Sequence, residues 1–510
     1  MMTAIVQDGT PPQQGQTAPA LPALPSLPLL STGVPGLDTV LTGGLLAERL
    51  YLLEGIPGTG KTTLGLQFLT EGASLGEPVL YIALAESELE LRAAALTHGW
   101  DLAGIAIEEV SPNDNILDPE HQYTIFHPSE IELASTNQRI VAAIEKHQPT
   151  RLVLDSLSEL QLLAESPLRY RRQVVALKQY LASKHCTSIL IDDRSAFDDG
   201  LQVRSVAHGV ISLELHNQDY GNDRRRLRVV KYRGVSFRGG AHDYKIAYGG
   251  LVVYPRLVAA DTRHDSGHRH LPSGIPELDL MTGGGLEEGM STLISGPAGS
   301  GKSTLAAQFV HAATARGEAC AMFLFEEARN KLLNRADSVG MRLNAALSTG
   351  LLSAQQVDPA ELAPGEFAHA VVDAADRGAK IIVIDSLNGY MHAVPDERFQ
   401  NTYLHELLNY LSQRGVATLL VGVQPNMLGT TMTTSSDASY LADNVIMLRY
   451  YETEGEVRQA ISVFKKRAST HERSIRRFEI DRQGIRIGPV LAGFHGILSG
   501  LPTAGQAPSP

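Results

Sequence analysis

Two segments of the chain combine glycine, lysine and a hydroxyl residue at a spacing that suits phosphate binding. Residues 55–62 read GIPGTGKT and residues 296–303 read GPAGSGKS, so both fit GxxxxGK followed by Thr or Ser. In such a loop the backbone N–H groups face phosphate oxygens, and glycine keeps side chains out of that space. Each loop is expected to open a helix whose N-terminal dipole attracts the anion. Two matches at equivalent places predict two nucleotide sites.

The residues of each loop have distinct predicted roles. Lys61 and Lys302 are expected to reach the β- and γ-phosphates of ATP, while Thr62 and Ser303 hold Mg²⁺. The predicted ATP-binding residues are Gly55, Gly58, Thr59, Gly60, Lys61, Thr62 and Thr63 in the first loop, and Gly296, Gly299, Ser300, Gly301, Lys302, Ser303 and Thr304 in the second.

A magnesium site of this kind also needs a carboxylate at the end of a neighbouring strand. Residues 151–156 read RLVLDS and residues 381–386 read IIVIDS. Asp155 and Asp385 each end an apolar run, so we expect them to fix Mg²⁺ in their own repeat. The alternative is an aspartate that only ends a strand at a turn.

Hydrolysis needs a group that orients or deprotonates the attacking water. The apolar run after the second loop continues as MFLFEEA, which places Glu326 and Glu327 at its end. The corresponding run after the first loop reads YIALAES and leaves Ala85 and Glu86. We predict catalytic roles for Glu326, Glu327 and Glu86, with Glu326 as the base. A solvated acidic strand end is the alternative.

A third pair of segments is basic. Residues 227–234 read LRVVKYRG and residues 461–468 read ISVFKKRA, so each apolar run ends in Lys-x-Arg. We predict that these residues act as an arginine finger, which reaches across a subunit interface to the γ-phosphate of the ATP bound by the neighbouring subunit. The alternative is a solvated charged face. The four residues are Lys231, Arg233, Lys465 and Arg467.

These motifs recur in one order because the chain repeats itself. Lys61 and Lys302 are 241 residues apart, and so are Asp38 and Asp279. The repeat predicts a tail at 1–30, a first RecA-like domain at 31–256, a linker at 257–271, a second domain at 272–500 and a loose tail at 501–510.

Each repeat alternates short apolar runs with longer amphipathic segments. The pattern predicts the α/β class, with two tandem RecA-like P-loop domains. In each domain a mainly parallel sheet is expected to carry helices on both faces.

Composition limits the function further. The 510 residues carry a formal net charge of −12, which disfavours nucleic acid as a partner. The two cysteines, Cys186 and Cys320, lie in apolar runs and are expected to be buried thiols. We expect no signal peptide, because the first basic residue is Arg49, and no membrane helix, because no apolar run is long enough. A cytoplasmic location follows as an expectation.

Taken in order, these motifs resemble the KaiC family of RecA-superfamily ATPases. The lead-ins STGVPGLD and PSGIPELD, the paired P-loops, FEEA, LDS, IDS, KYRG and KKRA carry the resemblance over about residues 31–500. The resemblance implies a two-tiered hexamer with ATP between subunits, slow hydrolysis in the first tier, and Ser/Thr autophosphorylation in the second with Glu326 as base.

The sequence departs from that family's pattern at three places. Ala85 stands where the catalytic glutamate pair begins, and the adjacent Ser-Thr acceptor pair falls on Ser439 and Tyr440. Ser439 is therefore the candidate phosphosite. The chain also ends soon after Gly500, without the long tail that the clock kinase's activator uses.

Three functional hypotheses remain open at this point. The first is a hexameric ATPase and autokinase that acts in signalling or timing, with signalling proteins as partners. The second is a RecA- or RadA-like DNA motor, which needs basic or aromatic channel loops. Residues 428–440 contain no Lys or Arg, which argues against a motor. The third is a nucleotide-gated scaffold with negligible turnover.

Overall fold

The computed structural model describes residues 28–110, 128–193, 201–218, 221–258, 269–393, 397–423, 440–467, 470–492, 494–495 and 503–504. The strands of the first repeat are β1 (Leu29–Leu30), β2 (Leu45–Leu46), β3 (Leu50–Gly55), β4 (Val79–Ala83), β5 (Ala106–Glu109), β6 (Arg151–Asp155), β7 (Thr187–Asp193), β8 (Gly209–His216), β9 (Arg224–Tyr232), β10 (His242–Ala247) and β11 (Gly250–Tyr254). Its helices are α1 (Leu37–Val40), α2 (Lys61–Ser74), α3 (Glu88–Thr97), α4 (Pro128–His147), α5 (Leu157–Ala164), α6 (Pro167–Ser183) and α7 (Leu201–Val206).

The second repeat has a matching set of elements. Its strands are β12 (His270–Leu271), β13 (Leu286–Glu287), β14 (Ser291–Gly296), β15 (Cys320–Leu324), β16 (Leu352–Gln356), β17 (Ile381–Asp385), β18 (Ala417–Val423), β19 (Asn444–Thr453), β20 (Glu456–Lys465), β21 (Arg476–Asp481), β22 (Gly484–Val490), β23 (Phe494–His495) and β24 (Thr503–Ala504). Its helices are α8 (Pro276–Met281), α9 (Lys302–Ala315), α10 (Arg329–Ser338), α11 (Leu343–Ser348), α12 (Pro364–Asp376), α13 (Leu387–Ala393) and α14 (Glu397–Gln413).

Two nine-stranded sheets with the same topology organise these elements. Their orders are β5-β4-β6-β7-β3-β8-β9-β10-β11 and β16-β15-β17-β18-β14-β19-β20-β21-β22. The first six strands in each order are parallel, and the last three continue the sheet in antiparallel fashion. The predicted fold class is confirmed: both domains are mainly parallel α/β sheets.

Helices cover both faces of each sheet, as buried parallel strands require. Side chains alternate along a strand, so Leu53 faces one core with the P-loop helix α2, while Leu52 faces the other core with α4, α5 and α6. The second sheet has the same two-sided arrangement. This layering holds the strand ends rigidly, and the functional residues lie on those ends.

Short strand pairs extend the structure beyond the predicted segment ends. Leu29 and Leu30, which we placed in the N-terminal tail, pair with β2. His270 and Leu271, which we placed in the linker, pair with β13 in the same way. Thr503–Ala504, in the predicted C-terminal tail, pairs with β23. Two-residue ladders carry too little apolar periodicity to be recognised from sequence.

The two repeats contact each other through the outer strands of the first and the helices of the second. Asp243 of β10 is buried and accepts a hydrogen bond from the N–H of Gly365 at the start of α12, at 2.7 Å. Arg256 pairs with Glu406 of α14 at 2.6 Å, and His369 meets the carbonyl of Pro255 at 2.9 Å. Because a carboxylate at a helix N-terminus is favourable, Asp243 stabilises this contact.

Two further sequence predictions concern the cysteines and membrane-spanning helices. No helix in the described part of the chain is long and apolar enough to cross a bilayer. Cys186 and Cys320 are buried and free, as predicted, and burial raises the pKa of each thiol to about 12. A buried thiol with a raised pKa is a poor nucleophile.

A buried cation in the first sheet has no counterpart at the matching position of the second sheet. Arg151, the first residue of β6, is fully buried and pairs with Glu77 at 2.6 Å. It also donates to the carbonyls of Ser31, at 2.8 Å, and Phe68, at 3.3 Å. The first residue of the matching strand β17 is Ile381. Arg151 therefore joins the lead-in segment, the P-loop helix and the loop before β4.

Removing this cation is expected to destabilise the first domain. Arg151→Ala leaves Glu77 and the buried carbonyls without their donor, so the free energy of unfolding should fall by about 3–5 kcal/mol. Lys184→Ala, which removes an exposed pair with Glu145, should cost about 0.2–1 kcal/mol. Denaturant unfolding followed by circular dichroism measures both variants. Equal midpoints for Arg151→Ala and wild type would contradict this assignment.

Candidate nucleotide sites

Each P-loop joins the end of the central strand to the start of a helix. The helices α2 and α9 begin at Lys61 and Lys302, directly after Gly60 and Gly301. These two glycines have left-handed backbones, with φ of 87° and 93°. A Cβ at Gly60 would lie 2.5 Å from Ile246, and one at Gly301 would lie 2.6 Å from Ile480. The left-handed backbone therefore favours glycine at both helix starts, and a side chain there would also displace the end of a neighbouring isoleucine.

The first glycine of each loop is required by packing on the neighbouring strand. A Cβ at Gly55 would lie 2.7 Å from the carbonyl oxygen of Leu213, and one at Gly296 would lie 2.6 Å from that of Leu448. We predicted these glycines from the need to admit phosphate. The model adds a second reason, since the strand beside each P-loop already excludes a side chain there.

Both P-loop lysines are buried beneath their loops. The Nζ of Lys61 donates to the carbonyls of Gly55, at 2.9 Å, and Ile56, at 3.1 Å. It also forms an ion pair with Asp193 at 2.6 Å. The Nζ of Lys302 donates to the carbonyl of Pro297 at 2.8 Å, and burial lowers the pKa of this lysine. Both ammonium groups therefore lie under the anion-binding turn.

In the first repeat, Asp155 lies next to the P-loop hydroxyl. Its Oδ2 accepts hydrogen bonds from the hydroxyls of Thr62, at 2.8 Å, and Tyr81, at 2.6 Å. Burial raises the pKa of Asp155, and both hydrogen bonds oppose that rise. The model therefore brings together Thr62 and Asp155, the residues we predicted for Mg²⁺.

In the second repeat, Ser303 is the corresponding hydroxyl beside Asp385. Burial raises the pKa of Asp385, and a hydrogen bond from the Ser303 hydroxyl opposes the rise. Its Oδ2 is buried and has no hydrogen-bond partner among the described residues. Such an orphaned carboxylate oxygen suits a hard cation, because Mg²⁺ prefers oxygen ligands.

The described residues contain no cluster of three or more His, Cys, Asp or Glu side chains that could hold a metal. This does not conflict with a Mg²⁺ site at either P-loop, because Mg²⁺ beside a nucleotide is usually held by one or two protein oxygens and by phosphates. The donor set at each loop, one carboxylate and one hydroxyl, fits that pattern.

The acidic residues after β4 and β15 occupy equivalent positions. Ala83 pairs with Asp155 and Leu324 pairs with Asp385, so Ala85 is the counterpart of Glu326 and Glu86 that of Glu327. In the second repeat, the hydroxyl of Ser386 donates to Glu326 at 2.5 Å.

The second acid of each pair has a different environment. Glu327 pairs with Arg335 of α10 at 2.8 Å. In the first repeat, burial and the nearby Asp155 raise the pKa of Glu86. The Glu326 carboxylate is therefore the acid that the second repeat has and the first lacks.

The Lys-x-Arg residues lie at the opposite end of each sheet from their own P-loop. Lys465 pairs with Val445 on the neighbouring strand, and Val445 pairs with Leu293 on the strand before the P-loop. Leu293 lies three residues before Gly296, the first residue of that loop. Lys231 is opposite Val210, which is level with Leu52, three residues before Gly55. The sheet therefore does not bring these residues to the P-loop of the same repeat.

Local contacts fix the basic residues at the end of the sheet that lies away from the P-loop. Lys231 donates to the carbonyls of Arg204 and Ala207, each at 2.7 Å, and Lys465 donates to that of Ala442 at 2.7 Å. Arg233 donates to the carbonyl of Ser205 at 2.9 Å. These bonds hold the strand ends in defined positions.

Arg467 has the same kind of contacts in the second repeat. It pairs with Asp443 at 3.2 Å and reaches the carbonyl of Tyr440 at 3.4 Å. Tyr440, the residue after the predicted phosphosite, thus lies at this end of the sheet. Ser439 itself lies outside the described residues.

Two residues at the first site were not predicted from the sequence. Tyr81 lies inside an apolar run, and only the strand register brings its hydroxyl to Asp155. Asp193 follows the apolar run 188–191, and the acidic pair Asp192–Asp193 at the end of that run was the available indication. Both residues contact groups that we had assigned to ATP and Mg²⁺.

Comparison with known proteins agrees with this geometry. A family model described as the KaiC ATPase matches residues 30–258 and again residues 271–492. The circadian clock oscillator protein KaiC of Synechococcus elongatus is 31% identical over 93% of this chain and 92% of its own length.

Two further relatives give the same result. The circadian clock protein KaiC3 of Synechocystis is 29% identical, covering 93% of this chain and 94% of its own. The oscillator protein KaiC of Acaryochloris marina is 29% identical, covering 92% of this chain and 91% of its own. With two matched ATPase regions on P-loop sheets of equal topology, the chain belongs to the KaiC family of ATPases.

Proposed function

We propose that the protein binds and hydrolyses Mg²⁺-ATP in a homohexamer whose neighbouring subunits complete each other's sites. The observation that carries this proposal is the position of Lys465 and Arg467 relative to the P-loop of the same repeat. A cation that contacts the γ-phosphate must lie beside the loop, whereas these residues lie at the other end of the sheet. A second copy, with its Lys-x-Arg end against this P-loop, supplies the cation that the single chain does not place there.

Strand geometry gives the separation. Residues along a strand advance by about 3.3 Å, so three residues separate Lys465 from the start of its own P-loop by about 10 Å along the sheet. The basic segment then continues away from the loop. Lys231 and Arg233 have the same relation to the first P-loop, so one mode of assembly serves both repeats. A neighbour's arginine stabilises the charge that develops on the transferred phosphoryl group.

Within each site, the chain's own residues bind and orient the phosphates. Lys61 and Lys302 contact the β- and γ-phosphates, and the loop N–H groups surround them. Thr62 with Asp155 and Ser303 with Asp385 would hold Mg²⁺, which neutralises charge on the phosphates.

The two sites differ in the group that acts on the attacking water. In the second repeat Glu326 accepts its proton, and Ser386 fixes the orientation of that carboxylate. In the first repeat Ala85 offers no such group. We therefore assign slow turnover to the first site, with Glu86 as its remaining acid, and faster turnover to the second.

We also propose phosphoryl transfer to Ser439. The support is that Tyr440, the next residue, lies at the edge where a neighbour's second P-loop would meet this chain. The Ser439 oxygen attacks the γ-phosphorus, ADP leaves, and the hydroxyl proton passes to Glu326 of the neighbouring subunit. Tyr440 is a poor second acceptor because its hydroxyl is several ångströms further from the backbone. Signalling proteins are the class of partner we propose, because the relatives are named as clock proteins.

The first prediction from this proposal concerns stoichiometry. Lys61→Ala and Lys302→Ala should each remove one ATP site per subunit, because the phosphates lose their buried cation. The double variant should bind no ATP, while Lys184→Ala at an exposed position should bind as wild type does. Equilibrium dialysis with labelled ATP measures all four. Wild-type stoichiometry in the double variant would refute both sites.

The second prediction concerns complementation between subunits. Arg467→Ala and Lys302→Ala should each lower second-site turnover, and mixing the two should restore about one quarter of wild-type activity by random assembly. Restoration occurs because an intact P-loop can meet an intact arginine from the other variant. Steady-state ATPase assays after mixing give the measurement.

A matched control distinguishes shared sites from other effects of mixing. Lys302→Ala mixed with Glu326→Gln should show no restoration, since both lesions lie on the P-loop side. If the first mixture also shows none, or if a dilute monomer retains full turnover, the shared-site arrangement is wrong.

The third prediction concerns the phosphosite. After incubation with ATP and Mg²⁺, phosphopeptide mapping should show one main site in wild type and in Ser436→Ala, and none in Ser439→Ala. Glu326→Gln should label about 10²-fold more slowly, because the general base is lost. Equal labelling in all four proteins would exclude both assigned roles.

A further inference from the structure

Tyr81 brings a phenol hydroxyl to the carboxylate that we assigned to Mg²⁺ in the first repeat. Its hydroxyl donates to Oδ2 of Asp155 at 2.6 Å, and the Thr62 hydroxyl donates to the same oxygen at 2.8 Å. A carboxylate oxygen has about two lone-pair sites, so these two bonds occupy the hydrogen-bonding capacity of Oδ2. Two donors on one oxygen fix the direction in which the carboxylate is turned.

The ring of Tyr81 is fully buried, which fixes the position of its hydroxyl. Tyr81 is 0% exposed and belongs to the core beneath the P-loop helix, together with Leu53, Phe68 and Val153. Its strand lies between β5 and β6. A close-packed ring has little freedom to move, and a buried phenol needs a hydrogen-bond acceptor. The carboxylate is that acceptor, so ring and carboxylate hold each other in place.

Thr62 and Tyr81 differ in what else they contact. The Thr62 hydroxyl belongs to the P-loop helix α2, and we assigned its oxygen to Mg²⁺. Tyr81 lies on β4 within the core, and we assign it no ligand of its own. Its hydroxyl therefore keeps Asp155 in place independently of what the Thr62 oxygen binds.

The second repeat does not have this phenol. By strand pairing, Met322 stands at the position that Tyr81 has in the first repeat. A thioether donates no hydrogen bond. The Oδ2 of Asp385 accordingly has no hydrogen-bond partner in the described part of the chain. The common scaffold thus forms without the phenol, which is a feature of the first site.

We propose that Tyr81 is a positioning residue of the first nucleotide site, whose hydroxyl orients and holds the Asp155 carboxylate for Mg²⁺. The proposal rests on the proposed binding of Mg²⁺-ATP at the first P-loop. Groups that hydrogen-bond a metal-binding carboxylate orient it, and their removal typically weakens metal binding by about 10–100-fold. Tyr81 acts through Asp155 and is not itself a ligand.

The test separates the contribution of the metal from the binding of the nucleotide. In a Lys302→Ala background, the dissociation constant of a fluorescent, non-hydrolysable ATP analogue is measured with excess Mg²⁺ and again with EDTA. The ratio of the two constants gives the factor by which the metal tightens binding. Tyr81→Phe removes only the hydroxyl and should reduce this factor about tenfold, with binding in EDTA unchanged. Tyr81→Met, which supplies the side chain of the second repeat, is measured in parallel.

Tyr51→Phe is the matched control. Tyr51 is a second buried tyrosine of the same core, and its hydroxyl donates to the carbonyl of Leu46 at 2.9 Å. This variant also loses a buried hydroxyl, but it should leave the metal factor unchanged because that hydroxyl does not contact Asp155. Thermal unfolding compares the stability of the variants.

A second comparison tests whether Tyr81 acts through the carboxylate. In an Asp155→Asn protein, the further change Tyr81→Phe should leave the metal factor where Asp155→Asn alone puts it. The two effects are not additive, because no carboxylate remains to be positioned.

An unchanged or larger metal factor in the folded Tyr81 variants would overturn the proposal, and so would an equal loss in Tyr51→Phe. If the Lys302→Ala parent binds no analogue, or binds it equally well with Mg²⁺ and with EDTA, the first P-loop is not a Mg²⁺-ATP site. That result overturns the proposed function itself, and it is distinct from a failure confined to Tyr81.

Discussion

The carboxyl ends of parallel strands meet at one end of a sheet, and the predicted P-loop, magnesium and acidic residues of each repeat depend on that fact. Gly55, Ala83, Asp155 and Asp193 end four neighbouring strands of the first sheet. Ligands of open α/β sheets bind outside such strand ends. Two-sided packing holds the strands in register, so the Thr62 hydroxyl lies within hydrogen-bond distance of Asp155 and the Lys61 ammonium group lies within that distance of Asp193. The order of strands, rather than any one contact, therefore creates the site.

The sequence was sufficient to predict those parts of the fold and of the sites that depend on a local pattern of residues. The glycine spacing of the loops, the apolar runs and the aspartates at 155 and 385 predicted the strands, the helices after the loops and the pairing of Asp155 with Thr62. It was insufficient where a contact depends on which strands are neighbours. The hydroxyl of Tyr81 is hidden in an apolar run, and the ion pair of Asp193 with Lys61 joins residues 132 positions apart. The two-residue ladders at Leu29 and Thr503 were missed because they are too short to show a period.

Duplication has preserved the scaffold and changed the groups it presents. Tyr81, Ala85 and Asp193 in the first repeat correspond to Met322, Glu326 and Val423 in the second. The first site thus has extra groups that pair with Lys61 and Asp155, and it lacks the counterpart of Glu326. The second has an unpaired carboxylate oxygen on Asp385 and a glutamate oriented by Ser386. Equal topology with unequal donors therefore gives one chain two P-loop sites with different side chains around them.

The placement of Lys-x-Arg and P-loop on opposite edges also restricts symmetry. The interface that we propose joins unlike ends of the sheet and is therefore heterologous, so copies related by it form a ring where the rotation closes and cannot form a two-fold dimer through it. Both repeats have this polarity, and one chain contributes one copy of each. Two stacked rings built from such chains must therefore have the same number of members and the same rotational sense. The hydrogen bond from Gly365 to Asp243 joins the two repeats of each chain. If the two rings differed in rotation per subunit, this contact would be strained.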